Sequence, residues 1–421
     1  MVLHILTKNK KFKSAESILR SVLISGCTGF PDRLFDAILY SYRLCDSSSR
    51  VFDSLFKTYA HMKKFRNATD TFCRMKDYGF LPTVESCNAY ISSLIDLHRV
   101  DIALTFFREM RRCRVSPNVY TLNMVMSAFC KLGKLEKATE VFREMKSMGF
   151  SPTVASFNTL IGGHCKKGLM SSAMKLKKAM EKNELHPNEV TFNTLIHGFC
   201  KEGNLHEANI VFSEMKALNV TPNTLTYNTL INGYGQAGNS EMGNRLFEEM
   251  TKDGIKADIL TYNALILGLC KEGKTKKAAH LVRKLDKESL VPNASTFSAL
   301  ISGQCVRKDS DRAFQLYKIM IRCGCHPNER TFEMLISTFC KNEDFDGAAQ
   351  VLREMFVRCM APDSGTLSYI FSGLCQSGKD QLAIMLFSDM EARNLMPEGL
   401  ERFRTINSRP ENENKESIEK S

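Results

Sequence analysis

Three polar series recur at a fixed interval along this chain of 421 residues. Asparagine stands at Asn88, Asn123, Asn158, Asn193, Asn228 and Asn263, and Ser298, Glu333 and Ser368 continue the series. Eight residues further on comes a lysine, at Lys131, Lys166, Lys201, Lys271 and Lys341. The third series is Asn118, Thr153, Asn188, Asn223, Asp258, Asn293, Asn328, Asp363 and Glu398. Amides and hydroxyls donate and accept hydrogen bonds without changing charge, whereas an ammonium group attracts anions. The chemistry on offer is therefore recognition: two hydrogen-bonding groups per step for a base edge, and a cation for a phosphate. No catalytic constellation accompanies them. A deaminase-type site needs His-x-Glu with Cys-x-x-Cys, which is missing from the sequence, and Cys323-Gly-Cys325 has the wrong spacing for a zinc knuckle. No cofactor, no metal and no enzymatic activity are expected.

The elements that carry these residues follow from a repeat of 35 residues, with starts at 84, 119, 154, 189, 224, 259, 294, 329 and 364. A fixed period in this range marks a solenoid, whose units bury their apolar faces by stacking on neighbours. In the unit Glu189–Asn223, Phe192, Leu195, Ile196, Phe199 and Cys200 share one helical face, and Leu205, Ala208, Val211, Phe212 and Met215 share another. Gly203 separates the two as a helix stop, and Pro222 closes the loop behind the second. The fold class is all-α, a right-handed α-solenoid of 35-residue helix-turn-helix repeats.

The totals agree with that reading. A formal charge of +12 and a pI near 9.0 favour a polyanionic partner. Seven of the fifteen cysteines, at 130, 165, 200, 270, 305, 340 and 375, share one column on the apolar face of the first helix. There they act as small buried hydrophobes and not as a disulfide framework, which fits a reducing compartment. No apolar run is long enough to span a bilayer.

Taken in order, residues 1–48 form a degenerate repeat that caps the stack. Phe12, Ala15, Ile18 and Leu19 look like a second helix, and Leu34, Phe35, Ile38 and Leu39 like an isolated first one. The first fifteen residues have lysines and no acid, as organellar presequences do, but arginine and serine are sparse and the residues also fit the repeat pattern. Ten repeats then occupy 49–83, 84–118, 119–153, 154–188, 189–223, 224–258, 259–293, 294–328, 329–363 and 364–398. Nine of the eleven prolines share one column, Ala257 being the exception, so the inter-repeat loops are expected to share one geometry. The segment 399–421 ends in ENENKESIEKS, too polar to pack, and is expected to be disordered.

Each polar column also has a structural explanation to be weighed. Asparagine, aspartate or threonine before a helix is an ordinary N-cap, and lysine in a last turn complements the helix dipole. Asparagine inside the first turn has no comparable reason, because its helix propensity is mediocre. On the sequence alone the fifth-position asparagines thus point most directly to function.

The strings FNTLIHGFCKEG, YNTLINGYGQAG and YNALILGLCKEG, with EM late in the second helix and PN or PD closing the loop, resemble pentatricopeptide repeats of the plain P class. The resemblance covers about residues 49–398. Tetratricopeptide repeats share the architecture but have a period of 34 residues and other signature positions. The resemblance implies single-stranded RNA binding, one nucleotide per repeat, in organellar RNA processing, stabilisation, splicing or translation, with processing proteins recruited in trans. It also implies a mitochondrion, or alternatively a chloroplast. In the family the fifth and last residues choose the base and the second packs against it. By that pattern Asn228 with Asp258 suggests U. Asn88 with Asn118, Asn158 with Asn188, Asn193 with Asn223 and Asn263 with Asn293 suggest C or U. Asn123 with Thr153 is a weaker pyrimidine pair, and Ser298 with Asn328 suggests A, so the implied target core is YYYYUYA. Asp53 with Thr83, Glu333 with Asp363 and Ser368 with Glu398 depart from the pattern, as do Glu85, Ser295, Arg330 and Gly365 at the second position. The competing class is a protein-binding solenoid scaffold without RNA selectivity.

Overall fold

A computed structural model of the chain describes residues 1–24, 31–45, 47–393 and 395. Among these residues it contains helices and no strand. The chain divides into two compact units, Met1–Glu202 with Val211–Val220, and Gly203–Ile210 with Thr221–Ser421. Within each, helices alternate between a first and a second member of a pair, so the chain is an α-solenoid of helix-turn-helix repeats. The segment 399–421 and the positions Pro397 and Glu398 lie outside the described residues.

The first unit begins with α1 (Val2–Lys8), α2 (Phe12–Ile24) and α3 (Pro31–Leu44). Buried His4 on α1 lies 2.5 Å from the Ser47 hydroxyl and 2.8 Å from that of Ser41, so this short helix is tied to α3 and to the residues just before the first repeat. The first residues were legible only as part of a worn pattern, yet they form a helix of their own.

The regular repeats show why the sequence folds as it does. In each, the fourth residue is apolar and buried, as Leu122, Phe157, Phe192, Tyr227, Tyr262, Phe297 and Phe332 illustrate. The second helix buries a small residue early, such as Ala138, Ala173, Ala208, Ala278 or Ala313, which lets the paired helices approach closely. Later it buries Met75, Met110, Met145, Met180, Met215, Met250, Leu285, Met320, Met355 and Met390, every one fully enclosed. Each such side chain contributes about 1.5–3 kcal/mol of hydrophobic burial.

Neighbouring first helices meet through glycine. A Cβ on Gly163 would lie 2.5 Å from the Cys130 sulfur, and one on Gly303 would lie 2.7 Å from that of Cys270. The cysteine column is therefore the ridge that fills the glycine groove of the next repeat. Burial pushes these thiols up, to about 12 for Cys165, Cys200 and Cys270, so they stay protonated and act as hydrophobes. The fourteen cysteines of the described residues are all free. Among those residues, no helix is long and apolar enough to cross a membrane.

Candidate nucleic-acid interface

The interface is built at the start of each first helix. The relevant helices are α6 (Val84–Asp96), α8 (Val119–Lys131), α10 (Val154–Lys166), α12 (Glu189–Lys201), α14 (Thr224–Ala237), α16 (Ile259–Lys271), α18 (Ala294–Val306) and α20 (Glu329–Lys341). The last residue of one repeat is the N-cap of the next first helix. Asn118, Thr153, Asn188, Asn223, Asp258, Asn293 and Asn328 all sit in extended backbone and accept the backbone N–H three residues on. The structural explanation weighed for this column is thus correct, and it leaves part of each side chain available.

The fifth-position asparagine lies beside that cap. Asn88 Nδ2 donates to Asn118 Oδ1 over 3.4 Å, Asn158 to Asn188 over 3.2 Å, Asn228 to Asp258 over 3.0 Å and Asn263 to Asn293 over 3.1 Å. The structure thus joins the two columns into pairs, as their spacing suggested. The expectation that the fifth-position amides have no structural role is corrected. Their carbonyls accept from a hydroxyl of the following repeat: Thr121 to Asn88 at 2.7 Å, Thr191 to Asn158 at 2.7 Å, Thr261 to Asn228 at 2.6 Å and Thr296 to Asn263 at 2.6 Å. These amides help to fasten consecutive repeats together. Asn88, Asn193, Asn228 and Asn263 are accordingly buried.

The third-position hydroxyls were not singled out from the sequence. They form a column as regular as the asparagines: Ser86, Thr121, Ser156, Thr191, Thr226, Thr261, Thr296 and Thr331, all fully enclosed. The signal was present as a hydroxyl three residues after each cap, the spacing of a reciprocal capping box. Such boxes occur at α8, α10, α12, α14, α16 and α18.

The repeats of Asn123, Ser298 and Asp53 depart from this geometry, as does that of Ser368, whose hydroxyl donates to the Ser364 carbonyl at 2.9 Å. At Asn123 the cap is Thr153 and the third-position residue is Ser156. Ser156 Oγ accepts from the Thr153 backbone N–H at 3.1 Å and lies 3.2 Å from the Thr153 hydroxyl, and the buried Asn123 carbonyl has no partner. At Ser298 the side-chain oxygen lies 3.0 Å from Thr331 Oγ1, whose hydroxyl donates to the cap Asn328 at 2.8 Å. In the first repeat, Asp53 accepts from both the backbone N–H (2.8 Å) and the hydroxyl (3.0 Å) of Thr83. Burial pushes the Asp53 carboxyl up, against the opposing effect of those hydrogen bonds and of the Lys57 charge. For Asp258 burial acts in the same direction, but the hydrogen bonds from Thr261 and Asn228 outweigh it and hold the carboxyl below its ordinary value.

Beside the pairs stand apolar second-position side chains with no cover. Tyr120, Val190, Leu225 and Leu260 are each more than half exposed. An apolar group in water next to hydrogen-bonding groups is the arrangement a planar base can use, stacking on one and pairing with the other.

The lysine column divides. Lys131 donates to the Ile95 carbonyl at 3.5 Å, and Lys271 to the Gln236 carbonyl at 2.5 Å and its side-chain oxygen at 3.2 Å. Both thus cap the carboxyl end of the preceding first helix. Burial, together with the Arg330 charge, lowers Lys271. Lys166, Lys201 and Lys341 end their helices exposed. Among the described residues no group of three or more His, Cys, Asp or Glu side chains is placed to hold a metal ion.

Comparison with known proteins agrees with this architecture. The model of the PPR repeat family matches residues 82–131, 117–161, 152–201, 187–236, 222–271, 257–306 and 292–341. A related PPR repeat model matches 50–80, 330–359 and 366–395. A mitochondrial pentatricopeptide repeat-containing protein of Arabidopsis thaliana is 74% identical over 116 residues, 28% of this chain and 22% of that protein. A second mitochondrial protein of the same kind from Arabidopsis thaliana is 33% identical over 113 residues, 26% of this chain and 15% of its own length. The matched stretch is thus less than a quarter of either relative. Among solved structures, the pentatricopeptide repeat protein PPR10 in complex with an 18-nt psaJ RNA element is 20% identical, covering 93% of this chain and 66% of that one with a TM-score of 0.49.

Proposed function

The chain belongs to the PPR repeat family, and from that membership and the geometry of its repeat junctions we infer that it binds single-stranded RNA sequence-selectively in an organelle. The observation that carries the reading is the recurrence, at the Asn88, Asn158 and Asn228 junctions, of an amide fixed against an N-cap with an uncovered apolar side chain two residues beyond the cap. One repeat meets one nucleotide. The second-position group stacks on the base, and the fifth and last residues pair with its edge. The last residue sets the polarity: Asp258 is an acceptor for the N3–H of uracil, whereas Asn118, Asn188 and Asn293 have an amide donor for the N3 of cytosine. The target core is YYYYUYA, read from Asn88 to Asn328, and the compartment is the mitochondrion.

Each base contact contributes roughly 1–3 kcal/mol. Seven such repeats, less the cost of ordering RNA and protein, bring binding to about the nanomolar range. Occupancy is then the mechanism: an RNA segment is held unpaired, shielded from exonucleases or opened to a processing enzyme acting in trans. Lys166, Lys201 and Lys341 meet the phosphates. Lys131 and Lys271, engaged by carbonyls, contribute less to that contact.

Affinity selection from random RNA tests the reading, and enrichment of purine-rich motifs would overturn it. A sharper experiment exchanges Asn228→Thr together with Asp258→Asn. Preference at one nucleotide should then move from U toward A. The same binding assay separates the scaffold alternative, which predicts no selectivity among short oligoribonucleotides even in dilute buffer. That alternative gains some support from the role of the amides in joining repeats, since RNA is not needed to explain their presence.

A further inference from the structure

We propose that the third-position hydroxyl of the following repeat is a positioning residue for base reading: held at the cap and engaging the fifth-position side chain, it dictates whether a donor or an acceptor faces the base. The inference rests on the RNA reading above and adds residues to it that touch no base.

The argument is one of forced polarity. Asp258 Oδ1 accepts the Thr261 backbone N–H at 2.9 Å as the helix cap. Both oxygens of a carboxylate are acceptors, so the Asn228 atom 3.0 Å away must be the nitrogen. The Asn228 carbonyl then faces the interior of a buried site and needs a donor. Thr261 Oγ1 supplies it at 2.6 Å, a shorter contact than the 3.0 Å to its other acceptor, Asp258 Oδ1, while the same oxygen accepts the Asp258 backbone N–H at 3.1 Å. With every other valence used, what Asn228 turns outward is the second hydrogen of Nδ2. Asn88, Asn158 and Asn263 repeat this geometry with Thr121, Thr191 and Thr296.

The Ser298 repeat inverts the sign with the same threonine type. The shorter contact of the Thr331 hydroxyl is to Asn328 Oδ1, at 2.8 Å; with its hydrogen given there, the Ser298 hydroxyl 3.0 Å away donates to Thr331 and turns its lone pairs outward. That repeat offers an acceptor, which suits an exocyclic amine such as adenine N6. The Asn123 repeat lacks the device. Ser156 is engaged by Thr153, the Asn123 carbonyl is unpartnered, and nothing imposes the direction of its amide. Asn123 is therefore the weakest discriminator among the asparagine repeats.

The full chain is first used to select its RNA, and each nucleotide of the winner is then varied in turn. The nucleotide facing Asn228 is identified as the one whose preference changes in Asp258→Asn. At that nucleotide Thr261→Val should reduce discrimination between bases by about tenfold, and Thr261→Ser should restore it, with other nucleotides unaffected. Thr153→Asn combined with Ser156→Thr should raise discrimination at the Asn123 nucleotide by a similar factor. Folded Thr261→Val protein that keeps its preference overturns the proposal. If Thr261→Val does not fold, an absence of gain in the Thr153→Asn, Ser156→Thr protein overturns it instead. Should the unsubstituted chain select no RNA, the binding reading falls separately, and asparagine-labelled protein then decides. Solvent exchange of the Asn123 side-chain amide should slow at least tenfold in the Thr153→Asn, Ser156→Thr protein, and unchanged exchange rejects the positioning role.

Discussion

Two junctions of the solenoid use nearly the same residues and reach different ends. Between Asn228, Asp258 and Thr261 every inward-facing polar atom is paired, and the amide has one possible direction. Between Asn123, Thr153 and Ser156 the cap is a hydroxyl with no second acceptor oxygen, the serine turns to the cap, and the asparagine carbonyl is buried without a partner. Asparagine at the fifth position is therefore insufficient to make a reader. Its meaning depends on a cap that can accept twice and on a hydroxyl that follows.

The largest expected effect lies in that contrast. Asn228→Leu removes a donor and an acceptor from groups that stay buried, and should weaken its junction by about 1–3 kcal/mol. Asn123→Leu removes an unpaired carbonyl and should be neutral or stabilising. Because an array of repeats need not unfold as one unit, amide exchange at Thr261 and Ser156 measures the two effects locally. Loss of equal size at both sites would erase the distinction.

A smaller effect is expected at the turns inside the repeats. Gly168 adopts a left-handed backbone with φ of 73°, and the equivalent position in two later repeats is held by Lys308 (φ 59°) and Glu343 (φ 59°). A Cβ in that conformation costs about 1 kcal/mol. Lys308→Gly and Glu343→Gly should therefore raise local stability by about that amount, less the entropy glycine adds to the unfolded chain, and Gly168→Ala should lower it. Thermal melts of single substitutions give the sign.

On the RNA side, Lys201→Ala should weaken binding to all sequences alike and reduce the salt slope by about 0.7. Lys271→Ala should alter that slope less and instead loosen the last turn of α14. Titrations at several salt concentrations distinguish the two lysines.

The finest comparison is between the carboxylates. Asp258 is held below its ordinary value when folded, so its contribution is present above the unfolded value and is lost as pH falls through the folded one. Asp53 is raised, so its contribution is present at acid pH and is lost as pH rises through the folded value. Protection of the Thr261 amide should fall on acidification while that of Thr83 holds, and exchange measured from pH 6 to pH 3, values set on the order of these carboxyl ranges, checks both signs.

Much of this was legible in the sequence. Helix pairs, the proline loops and the buried cysteine column all follow from apolar spacing, because a solenoid places like residues in like surroundings. The role of Thr261 was not. Its partner Asn228 is 33 residues away, and a reading confined to one repeat places the two in different units. The same limit made the fifth-position asparagines look free of structural duty. Lys131 and Lys271 illustrate it again: each reaches a carbonyl of the repeat before its own, a contact between units that sets them apart from Lys201.

Because each cap belongs by number to one repeat and by hydrogen bonding to the next helix, the heritable module is offset from the 35-residue period. A recombination breakpoint in the first turn of a first helix, between the third and fifth residues, carries a fifth residue, its cap and the following hydroxyl across as one block. A breakpoint at the proline loop joins an asparagine to a foreign threonine or serine. Chimeras spliced in that first turn should thus inherit their parents' base preferences, and chimeras spliced at the prolines should not.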